Sequence, residues 1–479
     1  IRNHEIQTEN KGAYEMRVDV AIVGAGVAGA ALAASLGRAG LRVALVERRE
    51  DVPETIAGEL LQPGGVQALE QLQLREALTG IDAQEVKGFA IFEGVEGQAL
   101  AYPTTSKSQE HGGKVHGYAF HHHRFVAHLR EIALRNPKVT WCLGHVVSLH
   151  IHEQRVHGLT YRDRNGEHHT LEAALTVAAD GRGSKLRYQL SQGAAPEKVS
   201  YSIGVTLREA CLPFSHHGHV FLTAPAPTLA YQIGKRTIRL LIDHPGTLPN
   251  KKNGAMNTFL REQIKPQLPA SMQPALEQAM ACGDYQMMQN LRMSPPSPSL
   301  AGAALIGDAY NMRHPMTGSG MTVALNDVNH LVSLLQHVDL HDTQTLDRCI
   351  QQFYRKRERL AVTLDMLAGA LYEIFCAEDT AHALMRDAVL RYWQLGGIAI
   401  SGPMSLLSGM RPNPLMLLAH FFAVALVEAG QRTVRAPLHP RKLFSHMKEV
   451  TQLISGALTT IRPQLQRGLQ LFLPSNSSS

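Results

Sequence analysis

The sequence predicts an α/β protein in which a Rossmann-like nucleotide-binding domain carries an inserted β-rich domain and a C-terminal helical domain. Three observations lead to this fold class. A strand, a glycine-rich turn, an alanine-rich helix and a second strand follow one another from Val20 to Arg49. Two later apolar strands each end at an aspartate beside a glycine, at Asp180 and Asp308. After about residue 320 the apolar spacing is helical to the end of the chain.

Composition limits the class of protein. The 479 residues are 44% hydrophobic and 18% charged, which indicates a globular chain of about two or three domains with a sizeable core. Its five cysteines are scattered without metal-ligand spacing, which argues against a disulfide framework and favours a reducing compartment. The polar first 20 residues do not read as a signal peptide or an anchor. No run reaches the roughly 18 apolar residues that would span a bilayer.

The first turn carries a dinucleotide-binding pattern. Gly24 permits a tight turn, Gly26 lets the backbone approach a pyrophosphate, and Gly29 lets the helix pack on the strand. The helix N-terminus then presents unpaired N–H groups to the phosphates. Glu47 ends the second strand, where it can accept hydrogen bonds from ribose hydroxyls. The alternative is a glycine turn that binds nothing.

A second segment distinguishes FAD from NAD. In "ALIGDAYNMRHPMTGSGMTVALNDV", a buried strand delivers Gly307 and Asp308, and a helix begins near Gly320. Asp308 can accept hydrogen bonds from a ribityl or ribose hydroxyl, and the backbone from Gly318 to Met321 can stabilise negative charge on a reduced flavin. Two separated nucleotide-binding segments suit an extended FAD. The alternative for Asp308 is a helix cap.

A third segment, "TVAADGRGSKLR", places cations behind Asp180. Arg182, Lys185 and Arg187 follow this acid closely. The group either contacts the pyrophosphate or caps and solvates the start of a helix. Two more arginines lie on one amphipathic helix and either reach the cofactor or face solvent: Arg124 and Arg130.

The rest of the chain is predicted to contain both helices and strands. "HHHRFVAHLREIALRN" is helical by its period, and "KVTWCLGHVVSLHIHEQRVHGLTYRD" alternates like a pair of strands. The pattern over residues 199–245 predicts strands, with a hairpin around Gly234. The proline-rich "MSPPSPS" predicts a linker. His121 to His123 are consecutive, so on a helix they point about 100° apart and no metal site is expected there.

These motifs resemble known flavoproteins. The glycine turn with Glu47, the Asp180–Gly181 pair and the Gly307–Asp308 pair together resemble the flavoprotein monooxygenases related to p-hydroxybenzoate hydroxylase. Four longer stretches are similar to the squalene epoxidase family, and the resemblance runs from about Val18 to about Ala425. They are "GELLQPGG" (58–65), "GDAYNMRHPMTGSGMTVAL" (307–325), "ALYEIFCA" (370–377) and "PNPLMLLAHFFAVA" (412–425).

The resemblance implies an activity. In that family, reduced FAD and oxygen form a flavin hydroperoxide, which epoxidises squalene to (S)-2,3-oxidosqualene, a step of sterol and triterpenoid biosynthesis. The electrons come from NADPH through a separate flavoprotein reductase, and no metal is required. The alternatives within the fold are an aromatic hydroxylase and a reductase of isoprenoid double bonds. A flavin-binding interaction protein without catalysis is the alternative outside enzymes.

The resemblance also implies site residues. The active site is organised by a tyrosine and a glutamine, here Tyr102 and Gln62, and His314 shapes the flavin edge or is a core histidine. Thr55 stands where the family has an arginine. The FAD contacts that the resemblance implies are Val27, Ala28, Glu47, Arg48, Thr55, Leu60, Arg130, Val146, Asp308 and Met321. The residue patterns described above add Arg124, Asp180, Gly307 and Gly320 to the glycines of the first turn. The implied substrate tunnel, which could instead be ordinary core, is lined by Leu371, Phe375, Pro315, His420 and Phe421.

The order of elements predicts interleaved domains. The FAD-binding domain is expected at 1–86, 118–190 and 296–345, the β-rich substrate domain at 87–117 and 191–295, and a C-terminal helical, membrane-associating domain at 346–479. From Gln431 to Ser479, one acid, Glu449, accompanies seven cations, and this difference equals the net charge of +6. The cations are Arg432, Arg435, Arg441, Lys442, Lys448, Arg462 and Arg467.

Apolar residues alternate with these cations, which predicts either an amphipathic tail on an anionic membrane or an ordinary basic helix face. We expect a membrane-associated protein on the cytoplasmic face, at the endoplasmic reticulum in a eukaryote. Binding of nucleic acid is not expected, because the chain carries no recognisable module for it.

Overall fold

The structure is a computed structural model that describes residues 15–94, 96–104, 115–192, 195–376 and 380–435. The strands are β1 Glu15–Val23, β2 Val43–Glu47, β3 Leu60–Leu61, β4 Gln84–Val86, β5 Gly88–Glu93, β6 Glu96–Ala101, β7 Gly117–Ala119, β8 Val139–His152, β9 Arg155–Asp163, β10 His168–Ala178, β11 Ser191–Gln192, β12 Glu197–Arg208, β13 Gly218–Phe221, β14 Thr228–Gly234, β15 Thr237–His244, β16 Tyr285–Arg292, β17 Ser297–Pro298 and β18 Ala303–Leu305.

The α-helices are α1 Val27–Arg38, α2 Pro63–Gln71, α3 His122–Leu134, α4 Arg187–Leu190, α5 Ala255–Phe259, α6 Gln273–Cys282, α7 Gly320–Leu335, α8 Thr343–Phe375, α9 Thr380–Gln394, α10 Ile398–Leu407 and α11 Pro414–Arg435. Among the residues described, no helix combines the length and the apolar character needed to cross a bilayer.

The first sheet is parallel at its centre. Its strands lie in the spatial order β8, β2, β1, β10, β18, and β9 runs antiparallel to both β8 and β10. Residues Val20 to Val23 of β1 are buried, as expected for a strand covered on both faces. Alanines dominate α1, which packs closely against α3 and α7. The carboxyl ends of β1, β10 and β18 therefore meet at one edge of the sheet.

The second sheet has seven strands in the order β16, β12, β15, β14, β13, β5, β6, and only β13 and β5 run parallel to each other. Alternate side chains of β15 point to opposite faces. Ile238, Leu240 and Ile242 pack into a core with α5 and α6. Arg239 and Leu241 therefore point to the face that looks toward the first sheet.

A buried ion pair joins the second sheet to the loop before β3. Arg239 donates from Nε to Glu59 Oε2 at 2.8 Å and from Nη2 to Glu59 Oε1 at 3.0 Å. The side chains are 8% and 1% exposed. A two-pronged contact of this kind offsets the cost of removing both charges from water.

The C-terminal helices pack on the second sheet. One apolar cluster contains Phe89 and Tyr231 of that sheet together with Phe375, Trp393 and Phe421 of the helices. The longest helix, α8, has 33 residues and also runs along the segment that follows β18. The helical region therefore contacts both sheets.

Several elements predicted from the sequence are confirmed. They are the β1–α1–β2 unit, the helix at 122–134, the β8–β9 strand pair, the β14–β15 hairpin and the helices from 320 to 435. The proline-rich segment is not only a linker, because its residues 297–298 pair with β11. Most of the predicted basic tail, residues 436–479, lies outside the described residues.

Replacing Arg239 with methionine should destabilise the fold. Glu59 would stay buried without its partner, and such a change costs about 3 kcal/mol or more in the free energy of unfolding. Thermal and urea unfolding of the purified variant measure the loss.

Arg236→Met is the matched control on the same hairpin. Arg236 pairs with Glu209 at 3.2 Å, but both side chains are exposed, so its loss should change stability by less than about 0.5 kcal/mol. Equal effects of the two substitutions would contradict the role assigned to the buried pair.

Candidate active site

A cleft of about 550 Å³ lies between the two sheets. One wall is glycine-rich and polar, and is formed by the turns after β1, β10 and β18: Gly26, Ala28, Gly181, Asp308, Gly320 and Met321. The opposite wall is apolar: Leu60, Phe89, Leu229, Tyr231, Leu241 and Met316. The cleft therefore presents two chemically different surfaces to whatever it binds.

The three glycines of the first turn have different structural roles. Gly24 has a φ of +97°, and a methyl group there would lie 2.6 Å from the carbonyl oxygen of Ala179. A methyl group on Gly29 would lie 1.8 Å from the carbonyl oxygen of Gly24. A methyl group on Gly26, in contrast, would have no heavy atom within 4 Å. Gly24 and Gly29 are required by the fold, whereas Gly26 keeps open space in front of the α1 N-terminus.

Glu47 and Arg130 together shape the turn after β1. Glu47 Oε2 accepts a hydrogen bond from the Ala25 amide at 2.8 Å. Arg130, 8% exposed, donates from Nε to the Ala25 carbonyl at 2.8 Å and lies 3.5 Å from Glu47. Its other donors reach the carbonyls of Arg49 and Glu50. The predicted Arg130 thus lies beside Glu47 and braces the nucleotide turn.

Asp180 is a buried acceptor with spare capacity. Its Oδ1 atom is inaccessible to solvent and has no hydrogen-bond partner among the described residues. Burial raises the pKa of the Asp180 carboxyl, although a hydrogen bond from Ser184 opposes this. An unpartnered buried acceptor atom is costly, and this one lies directly behind the cleft lining at Ala179 and Gly181.

Arg187 joins two turns of the polar wall. Its Nη2 contacts the carbonyls of Gly181 at 2.8 Å, Arg182 at 2.9 Å and Asp308 at 3.3 Å. Its Nε donates to the Ser184 carbonyl at 3.2 Å. Because these backbone contacts occupy its donors, Arg187 positions the two turns instead of binding a phosphate directly.

Asp308 follows β18 at the mouth of the cleft. Its side chain is accessible through the cleft, while protein encloses its other sides. This enclosure raises the pKa of the Asp308 carboxyl, and the Arg313 guanidinium is the largest of the charges that oppose it. Gly307, with a φ of +58°, makes the turn that brings Asp308 to the wall. At Gly320, the first residue of α7, no heavy atom occupies the position of a methyl group.

These groups fit a dinucleotide. The α1 N-terminus and the open space at Gly26 suit a pyrophosphate. The acceptors Glu47, Asp180 and Asp308 suit hydroxyl groups, and Asp180 has an acceptor atom to spare. The α7 N-terminus at Gly320 presents backbone N–H groups to a group with negative charge.

Tyr102 and Gln62 are brought together, as expected. The Tyr102 hydroxyl donates to Gln62 Oε1, and Gln62 Nε2 donates to the Thr317 carbonyl at 2.6 Å. Both side chains are buried, and burial raises the pKa of the Tyr102 hydroxyl well above its ordinary value. The Tyr102 ring packs edge-on against Phe89. The pair thus connects the apolar wall to the turn before α7.

His314 belongs to a buried polar network. Its Nδ1 accepts from the Met316 amide at 3.3 Å, which leaves the ring proton on Nε2, 3.1 Å from Asp243 Oδ1. Ser200 and Asn290 also contact this carboxylate. His314 lines the cleft, but both of its ring nitrogens already form hydrogen bonds within the protein. It shapes the turn that carries Pro315 and Met316.

The predicted site residues fall into three groups. Those that line the cleft are Gly26, Val27, Ala28, Thr55, Leu60, Gly307, Asp308, Pro315, Gly320 and Met321. Gly24, Gly29, Glu47, Arg130, Asp180, Gln62 and Tyr102 support these from directly behind. Arg48 and Arg124 are exposed away from the cleft lining, and Val146 packs against the core beside β2.

The predicted tunnel residues are mostly elsewhere. Only Pro315 lines the cleft. Phe375 and Phe421 lie in the apolar cluster between the helices and the second sheet, and Leu371 packs against it. His420 Nδ1 lies 2.9 Å from the Tyr392 hydroxyl. The apolar wall comes instead from the second sheet, because the inward faces of β5, β14 and β15 are the nearest apolar surface to the polar wall.

Sequence reasoning did not single out the second sheet's contribution. Phe89, Tyr231 and Arg239 come from strands whose alternation was visible, but the pattern does not state which face meets the nucleotide domain. Arg239 carried one signal, a charge between Ile238 and Leu240 in an apolar strand. Arg313 lies inside the strongest motif and also lines the cleft.

Comparisons with known proteins show similarity over most of the chain. The family described as "Squalene epoxidase" matches residues 172–444, and "FAD dependent oxidoreductase" matches residues 19–187. The chain is 41% identical to squalene monooxygenase SE2 of Panax ginseng over 95% of this chain and 83% of that protein. It is 37% identical to squalene monooxygenase of Mus musculus over 89% of this chain and 74% of that protein.

Solved structures show the same fold at lower identity. p-Nitrophenol 4-monooxygenase PnpA of Pseudomonas putida DLL-E4 superimposes with a TM-score of 0.67 at 18% identity, covering 83% of this chain and all of that one. A probable FAD-dependent monooxygenase of Pseudomonas aeruginosa, pqsL, gives a TM-score of 0.61 at 20% identity over 75% and 97% of the two chains. The α/β flavoprotein fold predicted from the sequence is confirmed.

Two glycine substitutions should separate folding from cofactor binding. Gly26→Ala should leave the melting temperature of the cofactor-free protein within about 2 °C of the wild type, because its methyl group meets no protein atom, but should weaken FAD binding at least tenfold. Gly29→Ala should lower that melting temperature clearly, because its methyl group collides with the Gly24 carbonyl. Differential scanning fluorimetry and titration of FAD fluorescence measure the two properties. Wild-type FAD affinity in Gly26→Ala would place the pyrophosphate elsewhere.

Proposed function

Since the chain belongs to the squalene epoxidase family and catalyses the FAD-dependent epoxidation of squalene in sterol biosynthesis, we propose that its cleft holds the reactive end of the flavin against a terminal double bond of squalene. The comparisons favour this substrate over aromatic hydroxylation and over reduction of isoprenoid double bonds. The observation that carries the proposal is the contrast between the two walls of the cleft.

The polar wall suits the cofactor. When bound and reduced, FAD supplies the activation of oxygen. The α1 N-terminus binds the pyrophosphate, Glu47 the ribose and Asp308 the ribityl chain, with Asp180 providing a further acceptor. All of these contacts are predictions. Asp308 lines the cleft, Glu47 and Asp180 lie directly behind its lining, and Arg48, Arg124 and Val146 lie farther from it.

The apolar wall suits an alkene. Leu60, Phe89, Leu229 and Leu241 would keep water from the reacting centre and so limit the unproductive loss of activated oxygen as hydrogen peroxide. The His219 ring packs against Phe92 and Phe221 on the opposite face of this sheet. Burial there lowers the pKa of His219 to about 4, so the ring is neutral at pH 7 and places no charge beside the substrate.

Tyr102 and Gln62 orient the junction of the two walls. The high pKa of Tyr102 keeps its hydroxyl protonated, so it donates steadily to Gln62. Gln62 in turn donates a hydrogen bond to the carbonyl of Thr317, three residues before α7 begins. We assign the pair to fixing the turn whose backbone N–H groups face the flavin.

The division into domains follows the two sheets. We propose that 1–86, 118–190 and 296–345 form the FAD-binding domain, that 87–117 and 191–295 form the substrate domain, and that 346–479 form the helical domain. The first sheet is built from the first set of ranges, and the second sheet from the second set.

The helical domain carries an exposed apolar stripe suited to a membrane surface. Leu415, Ala419, Phe422 and Leu426 follow one another at intervals of three or four residues along α11 and are exposed. Leu415 and Leu426 are each 68% exposed, and Ile398 of the neighbouring helix is 75% exposed. Apolar surface in such a row is unusual on a protein that faces only water. This stripe supports contact with a membrane surface. We further propose that the protein lies on the cytoplasmic face of that membrane, the endoplasmic reticulum in a eukaryote, and that an NADPH-dependent flavoprotein reductase supplies the electrons.

Tyr102→Phe should lower turnover with squalene about fivefold, because it removes one buried hydrogen bond of about 1 kcal/mol and keeps the ring. The assay combines the FAD-loaded protein, a flavoprotein reductase, NADPH, oxygen and detergent-dispersed squalene, with mass spectrometry of 2,3-oxidosqualene. Tyr188→Phe, at a 61% exposed position, is the control and should match the wild type. Oxygen consumption with unchanged squalene would contradict the proposed use of the cleft, whereas full activity of Tyr102→Phe would contradict only the role of the pair.

Leu415→Gln combined with Leu426→Gln should weaken binding to phosphatidylcholine vesicles at least tenfold, since burying each leucine contributes roughly 1.5–3 kcal/mol. Sedimentation of the protein with vesicles measures the loss. The control is Leu134→Gln combined with Val147→Gln, which removes exposed apolar side chains 42% and 48% accessible elsewhere on the chain. Equal binding by both double variants would show that the stripe is not the contact surface.

A further inference from the structure

Arg313 is a buried cation in the wall of the cleft. Its side chain is 5% exposed, and it lies in the segment between Asp308 and His314. Among the charged groups around Asp308, Arg313 has the largest effect in lowering the pKa of that carboxyl. Its positive charge therefore acts across the part of the wall that faces the cofactor.

Helix α8 positions Arg313 through a hydrogen bond to Asp365. Asp365 accepts from Arg313 Nε on one carboxylate oxygen and from Asn311 Nδ2 at 2.9 Å on the other. Two turns earlier on the same helix, Arg357 donates to Asn311 Oδ1 at 2.7 Å. The backbone segment that carries Arg313 is thus tied to the helix at two points.

The charge on Arg313 is only partly neutralised. Its Nη2 atom is buried and has no hydrogen-bond partner among the described residues. The neighbouring cations differ, because Arg357 forms a two-pronged pair with Asp327, and Arg187 is occupied by backbone carbonyls. Keeping an unsatisfied donor on a buried cation is costly, and this cost is offset if the charge serves a group in the cleft.

We propose that Arg313, positioned by Asp365, sets the reduction potential of the bound flavin by stabilising the negative charge that reduction places on it. Charge near a flavin ring is one of the main ways in which a protein tunes this cofactor. A fixed cation in a wall of low dielectric raises the potential, and the carboxylate of Asp365 opposes it. The inference rests on the proposed position of the flavin in the cleft.

The two charges predict shifts of opposite sign. Arg313→Met should make reduction of the bound FAD about tenfold less favourable, a potential about 30 mV more negative for a two-electron couple. Asp365→Asn should shift the potential in the positive direction, because Arg313 keeps a hydrogen-bonding partner but loses the opposing charge. Arg313→Lys keeps the charge and should stay close to the wild type.

The test is the midpoint potential of FAD-loaded protein, measured by equilibrium reduction against a reference dye, with flavin absorbance as the readout. Arg155→Met, which removes a partly buried cation paired with Asp347, is the control and should leave the potential unchanged. Shifts of the same sign in Arg313→Met and Asp365→Asn, or no shift in either, would overturn the inference. If Arg313→Met does not fold, Arg313→Gln decides, because it removes the charge but keeps a side chain that can hydrogen-bond to Asp365; its potential should fall as well, and an unchanged potential would overturn the inference.

The outcome is separable from the proposed function. Gly26→Ala tests whether FAD binds at this cleft, independently of its potential. If that variant loses FAD while the potential is insensitive to Arg313 and Asp365, the flavin site stands and the electrostatic role fails. If Gly26→Ala keeps wild-type affinity, the position of the cofactor is wrong and both proposals fail together.

Discussion

The geometry of the active site depends on one buried ion pair, between Asp327 and Arg357. Arg357 donates from Nε and Nη2 to the two oxygens of Asp327 at 2.8 and 3.1 Å, and each side chain is about 1% exposed. Asp327 also accepts from the Gly307 amide at 2.9 Å, at the end of β18. Removing either partner would leave a charge buried without compensation. The pair therefore fixes α7, α8 and the Gly307–Asp308 turn in one arrangement.

That arrangement gives the two walls of the cleft different origins. The polar wall is made of turns at the carboxyl ends of parallel strands, where backbone N–H groups and short acidic side chains are naturally directed outward. The apolar wall is the face of an antiparallel sheet whose other face packs against α5 and α6. A cofactor with phosphates and a hydrocarbon substrate can meet only where two such surfaces face each other, and the Glu59–Arg239 pair helps to hold them so.

Some groups in the cleft are unfavourable for the fold alone. Burial raises the pKa values of Asp180 and Asp308, one oxygen of Asp180 has no partner among the described residues, and Arg313 retains an unpaired donor. A chain selected for stability alone would replace such groups, so their presence together in and directly behind one wall is typical of a functional site. In the proposed position of the cofactor, the hydroxyl groups of FAD and the negative charge of its reduced ring would complement these groups.

The sequence by itself determined the nucleotide turn, the acids at the ends of β2, β10 and β18, the pairing of Tyr102 with Gln62 through family resemblance, and the order of strands and helices. These features depend on residues close together in the chain or on long specific motifs. Only the tertiary structure decided which sheet face forms the apolar wall, that Arg239 meets Glu59 across 180 positions, and that Asp365 holds Arg313. For the same reason, the sequence could not show that Phe375 of α8 and Phe421 of α11 pack between the helices and the second sheet. Periodicity identifies a buried face, but the partner of that face is set by packing between distant segments, which no local pattern encodes.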